Sequence, residues 1–149
     1  MMARIAVVYY SQSGNTQKMA ELVAEGCREV EGVEVQMCAL PGADPAEVAD
    51  ADGFAIGSPD YFSYAAGHVK VFYDEALAHK NQISGKPYVA FGTHGGGAKV
   101  LDSLERLSQA IGLKQVRPGM MCMGAPGDHE AGAIRALGRA LAEAVGGSW

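Results

Sequence analysis

Short apolar runs of strand length alternate along this chain with segments whose apolar residues recur at helical spacing. Residues 4–10, RIAVVYY, are apolar after the arginine, the signature of a strand buried on both faces. Met19, Leu22, Val23, Cys27 and Val30 then mark one helical face, closed by Gly32. Residues 33–38 read as a second strand, 45–50 as a short acidic helix or turn, and 53–56 as a third strand stopped by Gly57-Ser58-Pro59. Val69, Phe72, Tyr73, Ala76 and Leu77 give the next helical face, residues 88–91 a fourth buried strand, and Val100, Leu104, Leu107 and Ile111 a further helix. Residues 116–123 form the fifth strand, with Pro118 and Gly119 pointing to an edge or a bulge. Ile134, Leu137, Leu141 and Val145 line the last helix, which Gly146-Gly147 releases. Five strands alternating with helices predict a doubly wound parallel sheet covered on both faces, and too few units for a barrel, which needs about eight.

No repeat or linker divides the 149 residues, so one domain over 1–149 is expected. The apolar runs fall short of the ~20 residues of a membrane helix, and no leader-like segment precedes the first strand. No membrane span and a cytoplasmic location are therefore expected. Cys27, Cys38 and Cys122 are odd in number and widely spaced, which suits buried thiols rather than disulfides or zinc. Four scattered histidines supply no metal-ligand spacing either, so no metal is expected. The formal charge of -5 argues against nucleic acid, whose backbone demands a basic face.

Open α/β sheets bind ligands beyond the carboxyl ends of their strands. Three loops rich in Gly, Ser, Thr and Asn fall at such ends: 11–16, 57–63 and 92–97. Their placement on one edge of one sheet predicts a single site. In the first loop, Ser11-Gln12-Ser13-Gly14-Asn15-Thr16, small side chains let the backbone wrap an anion. Its amides and hydroxyls, with the positive end of the following helix, suit a phosphate held by neutral donors. The loop is neither G-x-G-x-x-G nor G-x-x-x-x-G-K-[ST], which argues against a dinucleotide fold or a P-loop NTPase. No cysteine follows strand one, strand three does not end in aspartate, and G-x-S-x-G is absent. These absences speak against a thiolate phosphatase, a response regulator and the common hydrolase elbow.

The stretch VVYYSQSGNTQKMAELVAE (7–25) resembles the phosphate loop and first helix of flavodoxins. GSPDYFSYAAGHVKVFYD (57–74) is similar to the second flavin loop of flavodoxin-like proteins, including the NAD(P)H:quinone oxidoreductases related to tryptophan-repressor-binding protein, and FGTHGGG (91–97) to the third. The resemblance implies a flavodoxin-like three-layer α/β/α fold with a five-stranded parallel sheet in the order 2-1-3-4-5, and FMN as cofactor. It implies that Ser11, Gln12, Ser13, Gly14, Asn15 and Thr16 hold the phosphate. Ser58, Pro59, Asp60, Tyr61 and Phe62 would line one side of the flavin ring. Thr93, His94, Gly95, Gly96 and Gly97 would approach its pyrimidine edge through the backbone.

Many flavodoxins sandwich the ring between Trp and Tyr. Here Trp149 is C-terminal, His94 occupies the third loop, and Tyr61, Phe62 and Tyr64 supply the aromatic surface. His94 reads either as a group beside the ring that raises its potential, or as a loop residue bonded to its own backbone. Asp60 reads either as a charge that lowers the potential or as a turn cap. The function implied is electron transfer between redox partner proteins, with no residue catalytic in the acid–base sense. The alternative is a quinone or flavin reductase with NAD(P)H and quinone as partners, against which the short segment 39–51 counts. A third reading keeps the fold as a non-redox module for another phosphate ester.

Overall fold

The computed structural model describes residues 2–146; Gly147, part of the expected helix release, and Trp149 lie outside them. Strand β1 (Ala3–Tyr9) runs parallel to β2 (Val33–Ala39) on one side and to β3 (Gly53–Tyr61) on the other. Next to β3 lies β5 (Pro87–His94), and the far edge is shared by two short strands, β6 (Lys114–Gln115) and β7 (Met120–Met123), both parallel to β5. Counted by position, this is the order 2-1-3-4-5 implied by the resemblance. The fifth strand is split where Pro118 and Gly119 pass the edge of β5, as a residue without an N–H and one without a side chain would dictate.

The unbroken apolar runs have a simple cause. Alternate residues of each strand enter two separate cores. Ile5, Val7, Ala55, Val89 and Phe91 pack under α1 (Asn15–Arg28) and α6 (Asp128–Gly146). Ala6, Val8, Phe54, Ile56, Tyr88 and Ala90 pack under α3 (Gly67–Ala76) and α5 (Val100–Ala110). Of the expected helical-face residues, Val30, Leu77 and Ile111 fall just beyond their helices: Val30 and Ile111 still pack on the cores, whereas Leu77 opens a single 3-10 turn and is exposed. The segment between β2 and β3 holds only α2 (Pro45–Val48), started by the Asp44 carboxylate, which accepts from the Ala46 amide at 3.0 Å.

The main correction concerns β3, expected to end at residue 56. It continues to Tyr61, and Tyr61 pairs with Tyr64 of the two-residue strand β4 (Tyr64–Ala65). The hairpin turns on Phe62 and Ser63, at φ 58° and 64°. Two consecutive positive-φ residues make the mirror-image turn that matches strand twist, but here without the usual Asn or Gly. Pro59 did not stop the strand because β1 pairs with β3 only as far as Gly57, so Pro59 has a neighbouring strand on the β5 side alone.

All three cysteines are free and buried. Burial pushes the Cys27 thiol up to about 12 and those of Cys38 and Cys122 to about 11. At about pH 8 almost no reactive thiolate exists at any of them. Iodoacetamide is expected to leave the native chain unlabelled and to modify all three after unfolding in urea; mass spectrometry of the intact protein reads the difference.

Candidate functional site

The carboxyl ends of β1, β3, β5 and β7 converge on one cleft. Residues 10–14 carry the chain from β1 into α1, and Gly14, at φ 97°, makes the turn that a side chain would strain. Ser11 organises this loop: its Oγ accepts from the amides of Gly14 and Gln17, both at 3.1 Å. The amides of Gln12, Ser13, Asn15 and Thr16 have no acceptor among the described residues. They cluster at the head of a helix of 14 residues, where the dipole adds positive potential. Such an array fits an anion without any cation nearby; Lys18 is exposed one turn further on.

Thr16 is not presented to solvent. It is 2% exposed, and its hydroxyl meets that of Thr93, itself 4% exposed, at 2.7 Å. One of the two O–H groups serves this bond and the other remains to donate. The pair ties the first loop to the third.

Asp60 and Tyr61 tie in the second. The Asp60 carboxylate accepts from Ser63 N and from Lys99 N, both at 2.8 Å, so it closes the hairpin and joins it to the chain entering α5. This is the capping role, extended across two loops. Tyr61 donates its hydroxyl to Gln12 Oε1 at 2.6 Å and meets the Tyr10 ring edge-on at 6.4 Å. Burial holds the Tyr61 phenol protonated by raising its pKa, the Tyr10 phenol adding a smaller push in the same direction. Ser58 lies beneath, fully buried, with its hydroxyl donating to Pro59 O and accepting from Ala66 N.

The cleft is lined by Gln12, Ser13, Asn15 and Thr16 from the first loop, Pro59, Asp60 and Tyr61 from the second, and Thr93, His94 and Gly95 from the third. Of the expected residues, Ser11 and Ser58 support it from behind, Gly14 makes its turn, Phe62 projects fully exposed from the hairpin tip, and Gly96 and Gly97 are exposed beyond its rim. Gly124 also lines the cleft and was not expected; its amide donates to His94 O at 2.9 Å. The rule that sites gather at strand ends could have found it, since Gly124 directly follows the fifth strand.

The sequence pattern of flavodoxins matches residues 7–136. The chain belongs to the flavodoxin family. A flavodoxin of Aquifex aeolicus (strain VF5) is 35% identical over 162 aligned positions, spanning 97% of this chain and 88% of that one. A flavodoxin structure from the domain Archaea superposes with a TM-score of 0.88 at 27% identity, covering 96% of this chain and 99% of the other. The fold also matches part of the rubredoxin oxygen:oxidoreductase of Desulfovibrio gigas, with a TM-score of 0.88 at 20% identity over 97% of this chain and 36% of that one. As a family member, the protein is an FMN-binding redox protein of the electron-carrier type, which acts on redox partner proteins. The unpaired amides 12, 13, 15 and 16 are the donors a phosphate monoester would need, so the residues present fit this cofactor. Among the described residues no helix is long and apolar enough to cross a membrane.

Proposed function

We propose that the whole chain acts as one flavin-binding unit in which the first loop holds the FMN phosphate and the other two loops hold the ring. The amides of Gln12, Ser13, Asn15 and Thr16, with the Ser13 and Thr16 hydroxyls, grip the phosphate, while Ser11 and Gly14 hold the loop in shape behind it. Pro59, Asp60, Tyr61 and Phe62 wall one side of the ring, with Phe62 at the solvent end and Ser58 bracing the wall. His94, Gly95, Gly96 and Gly97 meet the pyrimidine edge, while Thr93 supports the first loop through its bond to Thr16. One observation carries this reading: four residues whose amides have no acceptor among the described residues line a cleft formed by three cross-linked loops.

Bound FMN supplies the electron-accepting and electron-donating chemistry. The protein's residues bind it, hold its ring and exclude water from one side. The Asp60 and Tyr61–Gln12 ties mean that the hairpin cannot move without disturbing the other two loops. We assign the chain to electron transfer between partner proteins rather than to turnover of NAD(P)H and quinone. The short β2–β3 segment, carrying only the four-residue α2, supports that choice, since quinone reductases of this fold usually carry a longer one. Three free buried cysteines suit a reducing compartment such as the cytoplasm.

The purified protein should be yellow or take up added FMN, and it should oxidise NADPH or NADH with benzoquinone no faster than free FMN does. Rapid turnover would assign it instead to the reductases. A colourless protein that ignores added FMN would sink the cofactor reading.

A further inference from the structure

We propose that the free edge of β2 is the interface of a homodimer, in which a second copy of the chain adds its own β2 antiparallel about a twofold axis and Glu21 of each copy meets Arg28 of the other. This surface is separate from the flavin cleft, which no residue of β2 lines.

The two edges of the sheet are built differently. At one side the short strands β6 and β7, of two and four residues, are separated by Pro118 and Gly119, a broken edge that offers another strand little to pair with. At the other side β2 runs for seven residues in unbroken register with β1, without proline or bulge and with Glu34 as its one charge. A long open strand is a template for another strand, which is why natural edges are normally blunted by such devices. Leu40 N donates to Tyr9 O at 2.8 Å and Ala3 N to Gly32 O at 2.9 Å, so the even-numbered residues here turn their main chain toward β1. By alternation Val33, Val35, Met37 and Ala39 direct theirs outward, where no strand lies among the described residues.

The occupant is a second copy because this edge complements itself under a twofold rotation, as an isologous interface must. With Gln36 on the axis, Val35 stands opposite Met37 of the other copy and Val33 opposite Ala39, an apolar strip on the α1 side of the sheet. Val35 and Met37 are only half-buried within one chain, so they have surface left to cover. Glu34 then faces Cys38 of the other copy and not its own equivalent. Helix α1 supplies the charges. Glu21, Ala24 and Arg28 line the groove between α1 and Met37 of β2. Glu21 and Arg28 are exposed, lie about two helical turns apart and form no ion pair among the described residues, whereas Glu25 between them is taken by Arg135. A twofold axis normal to the sheet at β2 keeps both copies of α1 on one face and reverses one against the other. The acidic end of each groove therefore meets the basic end of its copy, a match that a foreign strand has no reason to offer.

Sedimentation equilibrium of the full chain should show a reversible dimer. Val35→Pro removes an outward N–H and leaves the bonds to β1 in place, so it should raise the dimer dissociation constant about tenfold or more. Glu21→Arg sets a guanidinium against the Arg28 guanidinium of the other copy, and Arg28→Glu sets a carboxylate against that of Glu21; each should weaken the dimer about tenfold. Mixed together, these two single variants should form a heterodimer about as tight as the parent dimer, and Glu21→Arg/Arg28→Glu in one chain should recover the homodimer. Both charged residues are exposed, so the exchange reads the interface even if Val35→Pro folds poorly. A parent that stays monomeric at about 1 mM would overturn the proposal. So would a dimer indifferent to a well-folded Val35→Pro, or a loss in the single charge variants that neither mixing nor the double exchange repairs.

Discussion

Gly138→Ala is expected to destabilise the protein by about 3 kcal/mol, seen as a lower urea midpoint at unchanged slope. In an open helix the same change would stabilise by about 1 kcal/mol, because alanine is the better helix former. The sign reverses here because α1 and α6 cross with their backbones in contact. A β-carbon on Gly138 would fall well inside van der Waals distance of the Val23 carbonyl oxygen, and one on Gly26 would collide with the Arg135 carbonyl. Neither obstacle is a flexible side chain that could swing away. The helices would have to part, and Val23, Cys27, Leu137 and Leu141, all buried beneath the crossing, would lose contacts with the sheet. The ion pairs Arg135–Glu25 and Arg139–Glu29 span the same two helices, but they are exposed and would offset little of this. Gly132→Ala is the control. It lies on α6, exposed, with nothing near its missing β-carbon, and should raise stability by about 1 kcal/mol. Equal effects at both positions would remove the close crossing from the account.

Thr16→Val should weaken FMN binding by about 1–3 kcal/mol and lower the stability of the FMN-free protein by about 1–2 kcal/mol. The two losses have different origins. The first is a missing donor at the head of α1, where the phosphate is proposed to sit. The second is the Thr93 hydroxyl, left buried without the partner it holds at 2.7 Å. The double variant Thr16→Val/Thr93→Val separates them. With both hydroxyls gone no polar group is orphaned, so stability should largely recover while FMN affinity stays low. Calorimetric melting and a fluorescence titration of FMN give the two numbers. Unchanged FMN affinity in Thr16→Val would take this hydroxyl out of the phosphate site. Recovery of affinity in the double variant would mean that the pair only shapes the loop.

The sequence carried the fold a long way because the strands are buried on both faces. A run such as 4–10 has little other use in a chain of this length, and glycine marks most of the places where helices stop. The three loops were equally legible as a group, since small polar residues at the ends of successive strands have a shared cause. What failed was the boundary of β3. Gly57-Ser58-Pro59 reads locally as a stop, yet pairing of Ser58 with Gly92 and Pro59 with Thr93 carries the strand onward. Residue composition is a local signal, whereas pairing depends on a partner more than 30 residues away along the chain.

The order and spacing of residues determined that the chain makes an alternating parallel sheet with a neutral, amide-rich turn at its first strand end. They determined the family as well, because those turns are contiguous stretches whose backbone geometry is set by their own small residues. Only the tertiary structure decided how the side chains divide the work: Ser11 and Asp60 cap and bridge, Thr16 pairs with Thr93, Tyr61 anchors on Gln12, and His94 keeps a buried nitrogen unpaired. The reason is physical. Each of these roles except that of Ser11 depends on which group from a distant segment arrives within hydrogen-bond reach, and that is fixed by strand register and helix packing rather than by neighbours in the sequence.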